Sequence, residues 1–156
     1  MAKYQIINLG EDNPFYSEIL DTFYYHVNEL GISKDAIVEI DENNFNNEYK
    51  GNSPAFCLYF GSSSGSFKNL DLLEILATEA NLILPIVDDL TNFTNQIPKL
   101  IGNFNGFELA TKNDIEGLVS CILEGLSLLR LSRRLFISYK RDESSNVAIQ
   151  LFEELE

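Results

Sequence analysis

The chain has 156 residues, of which 45% are hydrophobic, and it carries a formal net charge of −13 at pH 7. This length is sufficient for one domain with a full hydrophobic core and too short for two. The acidic excess argues against nucleic acid as a partner, because binding to its backbone depends on clustered Lys and Arg. No apolar run approaches the roughly 20 residues that span a bilayer, so no membrane partner is expected.

The start of the chain and its two cysteines indicate a cytoplasmic protein. Residues 1–14 lack the basic start, the apolar stretch and the small-residue cleavage site of a secretory signal. Cys57 lies in an apolar run and Cys121 in a helical pattern, so both are predicted to be small core residues. We therefore expect neither a disulfide framework nor a zinc site.

The first predicted elements are a strand, a turn, a helix and a second strand. Residues 3–10 (KYQIINLG) form the predicted first strand. Asn13 is suited to cap the helix after it and Pro14 to occupy the first position of that helix. Apolar residues then recur at helical spacing, and Gly31 is predicted as the C-cap. A short strand is predicted at 36–40, and the Asn-rich segment after it is predicted to be a long loop or a frayed helix.

Two continuously apolar segments predict strands that are buried on both faces. Residues 54–61 (PAFCLYFG) and 82–87 (LILPIV) show this pattern, which is typical of the central strands of a parallel sheet. Between them, a flexible SSSGS tract leads into a helix that Asn69 is predicted to cap. The apolar residues expected along one side of this helix are Leu72, Leu73, Leu76 and Ala80.

The last third of the predicted domain contains an irregular segment, a short strand and a long helix. One or two helical turns are expected around Pro98, and a strand at 106–110. Asn113 or Asp114 is predicted to cap the helix, whose apolar stripe consists of Ile115, Leu118, Val119, Ile122, Leu126 and Leu129. The alternation of strands and helices predicts an α/β, flavodoxin-like, three-layer fold with a five-stranded parallel sheet.

This topology directs attention to the loops at the carboxyl ends of the strands, where such sheets bind ligands. These loops span residues 10–13, 61–66 and 88–91. The candidate cofactor-binding residues are therefore Gly10, Glu11, Gly61 and Ser62. The SSSGS tract lacks the Gly-Lys-Ser signature of a phosphate loop, which makes it a weak phosphate site.

Two further features have both a chemical and a structural interpretation. Asp88 and Asp89 are suited to bind a metal or share a proton, and equally suited to cap the next turn; the structural role is favoured. His26, the only histidine, has no recognisable Ser or Cys nucleophile beside it. It is predicted to be a partly buried helix residue.

The end of the chain resembles the opening of a Toll/interleukin-1 receptor (TIR) domain. In the stretch LFISYKRDESSNVAIQLFEELE, an apolar strand is succeeded by Ser138 and Tyr139, a charged loop at 140–143 and an amphipathic helix. The resemblance implies that residues 133–156 are the truncated start of a second TIR domain and that residues 1–132 form a first domain.

The first domain also resembles a TIR-type fold. The segment LLEILATEANLILPIVDD is similar to the third helix and fourth strand of the family, and IGNFNGFEL to its last strand. The resemblance places Glu74 where NAD-cleaving TIR enzymes carry a catalytic glutamate, which stabilises the positive charge that develops as the bond to nicotinamide breaks. A solvated helix face is the favoured alternative for Glu74. Because residues 71–73 replace the usual Trp-Cys, the resemblance implies a degenerate TIR-like domain.

This resemblance implies a regulatory or assembly module of a bacterial TIR-domain protein. The parent would act in signalling or anti-phage-type defence, with NAD cleaved by the C-terminal TIR domain and no other cofactor expected. Two alternatives stay open: a non-catalytic module that signals by homotypic packing, and an NAD hydrolase in its own right that uses Glu74.

Self-association is expected from the C-terminal segment. Residues 131–134 (LSRR) contain no Pro or Gly, which predicts tight coupling of the long helix to residues 135–156. The apolar LFISY stretch at 135–139 would be an unpaired strand edge in this chain. Pairing of that edge with another copy predicts a homodimer or a swapped arrangement.

Overall fold

A single five-stranded sheet organises the computed structural model, which describes residues 4–128. All neighbouring strands are parallel, in the order β2-β1-β3-β4-β5. The strands are β1 (Tyr4–Gly10), β2 (Ile37–Ile40), β3 (Ala55–Phe60), β4 (Leu82–Val87) and β5 (Phe107–Glu108). The predicted flavodoxin-like sheet is confirmed. The predicted second-domain segment at 133–156, with its strand edge, lies outside the described residues.

Helices cover both faces of this sheet and complete the three layers. They are α1 (Tyr16–Glu29), α2 (Phe45–Glu48), α3 (Leu70–Thr78), α4 (Phe93–Gln96) and α5 (Ile115–Gly125). The helices α1 and α5 contribute to one hydrophobic core, and α2 and α3 contribute to the other, which also includes the turn at Lys99–Ile101. None of the helices between residues 4 and 128 has the length and apolarity needed to cross a membrane.

The central strand β3 explains why its sequence is apolar throughout. All six of its residues are buried. Alternate side chains point to opposite faces of a strand, so Phe56, Leu58 and Phe60 enter the α1/α5 core while Ala55, Cys57 and Tyr59 enter the other. The predicted burial on both faces is confirmed here. In β4, by contrast, the first residue, Leu82, is half exposed.

The boundaries of α1 agree with the prediction at its C-terminal end and differ in its first turn. Asn13 Oδ1 accepts a hydrogen bond from Phe15 N at 2.8 Å, and Asn13 O accepts one from Tyr16 N at 3.1 Å. Asn13 and Pro14 therefore build a turn that precedes the helix rather than its first residues. At the other end, Gly31 has φ +77 and takes the left-handed conformation of a C-cap, as predicted.

The helix α3 ends earlier than predicted, and Ala80 does not lie on its apolar side. Ala80 has φ +59 and is exposed. Its N–H donates to Ala77 O, and Asn81 N–H donates to Leu76 O, both at 3.1 Å. This is the paired hydrogen-bond pattern of a Schellman C-cap, with alanine at the position usually held by glycine.

The helix α5 also differs from prediction at both ends. Its start is capped by Thr111 together with Asp114, whose Oδ2 accepts from Thr111 N at 3.0 Å. Asp114 is one of the two predicted caps, and Asn113 does not have that role. The helix ends at Gly125, and Ser127 has φ +65, so the helix does not continue through the predicted apolar stripe. Leu129, the last residue of that stripe, lies outside the described residues.

Two regions between the main elements contain short helical turns, which agrees with the frayed-helix alternative for the Asn-rich segment and with the one or two turns expected around Pro98. The Asn-rich segment includes the short helix α2, and its Phe45 is buried and stacked on Tyr49 with ring centroids 4.7 Å apart. The segment around Pro98 contains α4 and two short turns of 3₁₀ helix. The strand predicted at 106–110 is shorter, at Phe107–Glu108.

Candidate functional site

A cavity of about 280 Å³ lies at the carboxyl ends of β1, β3 and β4. It is lined by residues 11–13, 60–64 and 86–88, together with Gln96 and Leu109. Three separate loops therefore meet there because the ends of parallel strands share one edge of the sheet. This is the edge at which ligands bind in open α/β sheets.

The cavity presents a mostly polar surface, which is concentrated at its rim. Its apolar lining residues are Phe60, Ile86, Val87 and Leu109. Each is at most 3% exposed and belongs to one of the two hydrophobic cores, so these side chains offer little surface to a ligand. The rim carries exposed or half-exposed polar side chains, which include Glu11, Asp12, Asn13, Ser63, Ser64 and Asp88. Three of these are carboxylates, and within the described part of the chain no Lys or Arg lines the cavity.

Two buried polar side chains hold the loops around the cavity in place. Gln96, at the end of α4, is 8% exposed, and its Nε2 donates to Asp88 Oδ1 at 2.8 Å. Ser62 is 5% exposed, and its hydroxyl lies 2.7 Å from that of Ser64. Buried polar groups are normally hydrogen-bonded, and these contacts tie the end of β4 to α4 and shape the serine loop.

Three backbone N–H groups of the lining are already hydrogen-bonded within the protein. Gly61 N donates to Ile86 O at 2.8 Å, and Ser62 N donates to Gln96 O at 2.9 Å. Glu11 N likewise donates to Phe60 O at 3.0 Å. Phosphate sites in parallel α/β folds depend on free N–H groups in these loops. The present loops do not offer these three to a ligand.

A second, smaller cavity of about 110 Å³ adjoins the first on the other side of the loop after β1. It is lined by Asn8, residues 10–12, residues 41–43 and Asn69. Glu11 and Asp12 belong to both linings. Within residues 4–128, no group of three or more acidic, His or Cys side chains is arranged to hold a metal ion. The two linings together make this part of the carboxyl edge acidic.

The two glycines that were predicted to bind a cofactor are needed for the packing of the backbone. Gly10 has φ +92, and a Cβ there would collide with the backbone of Phe60. Its N–H donates to Asn69 Oδ1 at 3.0 Å, which is the actual role of the side chain predicted to cap α3. A Cβ on Gly61 would lie 2.6 Å from Gln96 O. Both glycines permit close approach of two backbones.

Of the four predicted cofactor-binding residues, Glu11, Gly61 and Ser62 line the larger cavity, and Gly10 and Glu11 line the smaller one. Glu74 lines neither cavity. Glu74 is exposed on α3. Residues 60–64, which line the larger cavity, belong to the end of β3 and the loop that precedes this helix. The catalytic role of Glu74, like ligand binding by the other four, stays a prediction.

The structural interpretation of Asp89 agrees with its contacts. Its Oδ1 accepts from Thr91 N at 3.0 Å and from Thr91 Oγ1 at 2.7 Å, and these hydrogen bonds hold the pKa of the carboxyl below its usual value. His26 is partly buried on α1, and its Nε2 lies 3.0 Å from Glu116 Oε1 on α5. This contact joins the two helices of one layer.

Sequence reasoning missed the roles of Gln96 and Asn69. Gln96 lies in a segment without clear periodicity, and its approach to Asp88 depends on how α4 folds back over β4. The sequence predicts a helix cap at Asn69, whereas its backbone is left-handed at φ +58 and its side chain binds the loop after β1. An Asn just before an apolar helix is typical both of a helix cap and of a left-handed residue whose side chain binds another loop. The sequence therefore does not distinguish these two roles.

Comparison of the chain with protein-family models, with curated proteins and with solved structures found no match. The resemblance to TIR domains therefore rests on the quoted sequence motifs, and the flavodoxin-like fold rests on the sheet order and its helical layers.

Proposed function

We propose that residues 1–132 form a non-catalytic regulatory or assembly module of a TIR-type signalling protein. NAD cleavage then belongs to the TIR domain that residues 133–156 would begin. In this proposal the first domain keeps the three-layer fold of the family and lacks its catalytic cleft.

The separation of Glu74 from an acidic cavity is the observation that carries this proposal. A catalytic glutamate must touch the ribose of NAD, and Glu74 lies outside both cavities at this edge of the sheet. The larger cavity also disfavours the dinucleotide. Its carboxylates repel a pyrophosphate, and its volume lies below the roughly 300 to 1,000 Å³ of sites for drug-sized ligands.

Nicotinamide release from NAD tests the catalytic part of the proposal. The 156-residue chain is expected to release none above background, and Glu74→Ala is expected to change nothing. A form extended through a full second domain is expected to release nicotinamide whether or not Glu74 is replaced. Release by the 156-residue chain that Glu74→Ala abolishes, and that the exposed control Glu48→Ala leaves intact, would make the first domain the enzyme.

Sedimentation tests the assembly part. We expect the apparent mass of the 156-residue chain to rise with protein concentration toward that of a dimer. A monomer at every concentration contradicts homotypic assembly through this chain, while leaving a purely regulatory role to be judged from the NAD assay.

A further inference from the structure

The loop that leads into β5 contains the one Asn-Gly pair of the 156-residue sequence, Asn105 and Gly106. Asn105 is exposed and Gly106 is half-buried. An asparagine loses its side-chain amide when the backbone nitrogen of the next residue attacks Cγ and closes a five-membered ring. Glycine favours this attack, because it has no side chain to hinder the approach and it permits backbone conformations that other residues avoid.

Two asparagines of this loop differ in the residue that follows them. Asn103 is also exposed, but Phe104 comes next, and its N–H donates to Ile101 O at 3.1 Å. The N–H of Gly106 donates to no residue in the described part of the chain. The attacking nitrogen must first lose its proton to solvent, and a hydrogen-bonded amide is protected from that loss. The nucleophile is therefore accessible after Asn105 and obstructed after Asn103.

We propose that Asn105 is a site of spontaneous deamidation and that its isoaspartate product loosens β5. The Gly106 nitrogen bonds to Asn105 Cγ, the bond from Cγ to the side-chain nitrogen breaks, and ammonia leaves with the proton that the backbone nitrogen gave up. Water then opens the cyclic imide at one of its two carbonyls, which gives aspartate or isoaspartate. The reaction consumes only water, and the site is independent of the proposed regulatory role.

The effect on β5 follows from the extra methylene that isoaspartate adds to the main chain directly before this strand. The strand has only two residues, which pair with Ile86 and Val87. Gly106 is packed so closely that a Cβ there would displace the ring of Phe93. A single added methylene is felt in such packing. The strand leads into Leu109, so the change also reaches the lining of the larger cavity.

Incubation of the 156-residue chain at mildly alkaline pH, followed by peptide mapping with mass spectrometry, tests the site. We expect Asn105 to convert at least about tenfold faster than Asn103, whose position fragment ions distinguish. Two products of equal mass, with aspartate and isoaspartate, are expected to separate by chromatography. Asn105→Gln is expected to suppress the reaction, because the longer side chain would have to close a six-membered ring. Asn103→Gln is the matched control and is expected to leave the reaction unchanged.

Thermal unfolding measures the effect on β5. The midpoint of the aged parent protein is expected to fall as its isoaspartate content rises, whereas aged Asn105→Gln is expected to unfold like its fresh form. Fresh Asn105→Asp carries the new charge without the added main-chain atom. It is therefore expected to unfold like the fresh parent, as exposed substitutions usually do.

Four results would overturn the proposal. Equal rates at Asn103 and Asn105 would show that neither the glycine nor its free N–H directs the reaction. Conversion in urea alone would show that the folded loop holds Asn105 Cγ away from the Gly106 nitrogen. An unchanged midpoint of the aged protein would contradict the loosening of β5. A midpoint of Asn105→Asp as low as that of the aged protein would assign the effect to charge rather than to the longer main chain.

Discussion

Gln5 and Lys50 are joined by a reciprocal pair of hydrogen bonds across 45 residues of chain. Gln5 Nε2 donates to Lys50 O, and Lys50 N donates to Gln5 Oε1, both at 2.8 Å. Gln5 is only 2% exposed, and its Nε2 also reaches Ser53 O at 3.2 Å. A side chain at the start of β1 thereby closes the loop that leads into β3.

Replacement of this glutamine tests that function. Leucine has a volume similar to that of glutamine, so Gln5→Leu keeps the packing while it leaves the N–H and C=O of Lys50 without their partners. We expect the free energy of unfolding to fall by about 2 kcal/mol. Denaturant unfolding measures it, with the exposed Asn46→Ala as a control that is expected to stay within about 0.5 kcal/mol of the parent. Equal stability of the two variants would show that water replaces the lost bonds.

Gly61 is expected to tolerate no side chain. A Cβ at this position would lie 2.6 Å from Gln96 O and 3.2 Å from Ile86 O, both backbone atoms. Gly61→Ala should therefore separate the serine loop from α4 and cost about 2 kcal/mol or more of stability. The matched control is Gly102→Ala, where the nearest atom would be 3.4 Å away. Thermal unfolding of both variants checks this; a loss in Gly102→Ala alone would contradict it.

Replacement of Ala80 by glycine is expected to stabilise the protein. Its φ of +59 is unfavourable for a residue with a Cβ, and glycine adopts it without strain. Ala80→Gly should raise the free energy of unfolding by about 0.5 to 1 kcal/mol. This is the net gain when the relieved backbone strain is set against the greater entropy of glycine in the unfolded chain. The reverse change at the corresponding cap, Gly31→Ala, should lower it. The prediction fails if both changes move stability in the same direction.

Tyr59 should make the protein less stable at alkaline pH. Its side chain is buried, its Oη donates to Lys68 O at 2.7 Å, and burial is the main reason that its pKa rises from 10.0 to about 12. The unfolded chain therefore loses this proton first. The stabilising contribution is complete below pH 10 and is lost as the pH rises to about 12.

The change Tyr59→Phe tests this linkage. The variant is expected to be less stable overall by about 1 kcal/mol, because the hydrogen bond is lost. Its stability should nevertheless decline less steeply than that of the parent between the pKa values of 10.0 and about 12. Urea unfolding at several pH values measures the slope. Tyr25→Phe, at a side chain that is 61% exposed, is the control, and an equal change of slope in it would refute a specific effect of Tyr59.

The strands and the main helices are predictable because their burial patterns are local. Six consecutive apolar residues in β3 and the helical spacing of Ile19, Phe23 and Val27 in α1 record which faces are buried. Helix ends are harder to predict. The C-cap at Gly31 is visible in the sequence, whereas Ala80 has the pattern of a helix interior, since alanine is the strongest helix former and its left-handed backbone leaves no mark in the sequence.

Local sequence patterns are enough to predict the α/β class, the number of strands and the loops that meet at the carboxyl edge, because hydrophobic periodicity and turn residues act over a few neighbouring positions. The chemistry of that edge becomes visible only in the folded protein. The chemistry of the edge depends on how separate segments of the chain pack together. This is true of the hydrogen bond from Gln96 to Asp88, of the hydrogen bonds that occupy the loop N–H groups and of the position of Glu74 outside the cavity. Their side chains acquire a common environment only when the sheet and its covering helices have assembled.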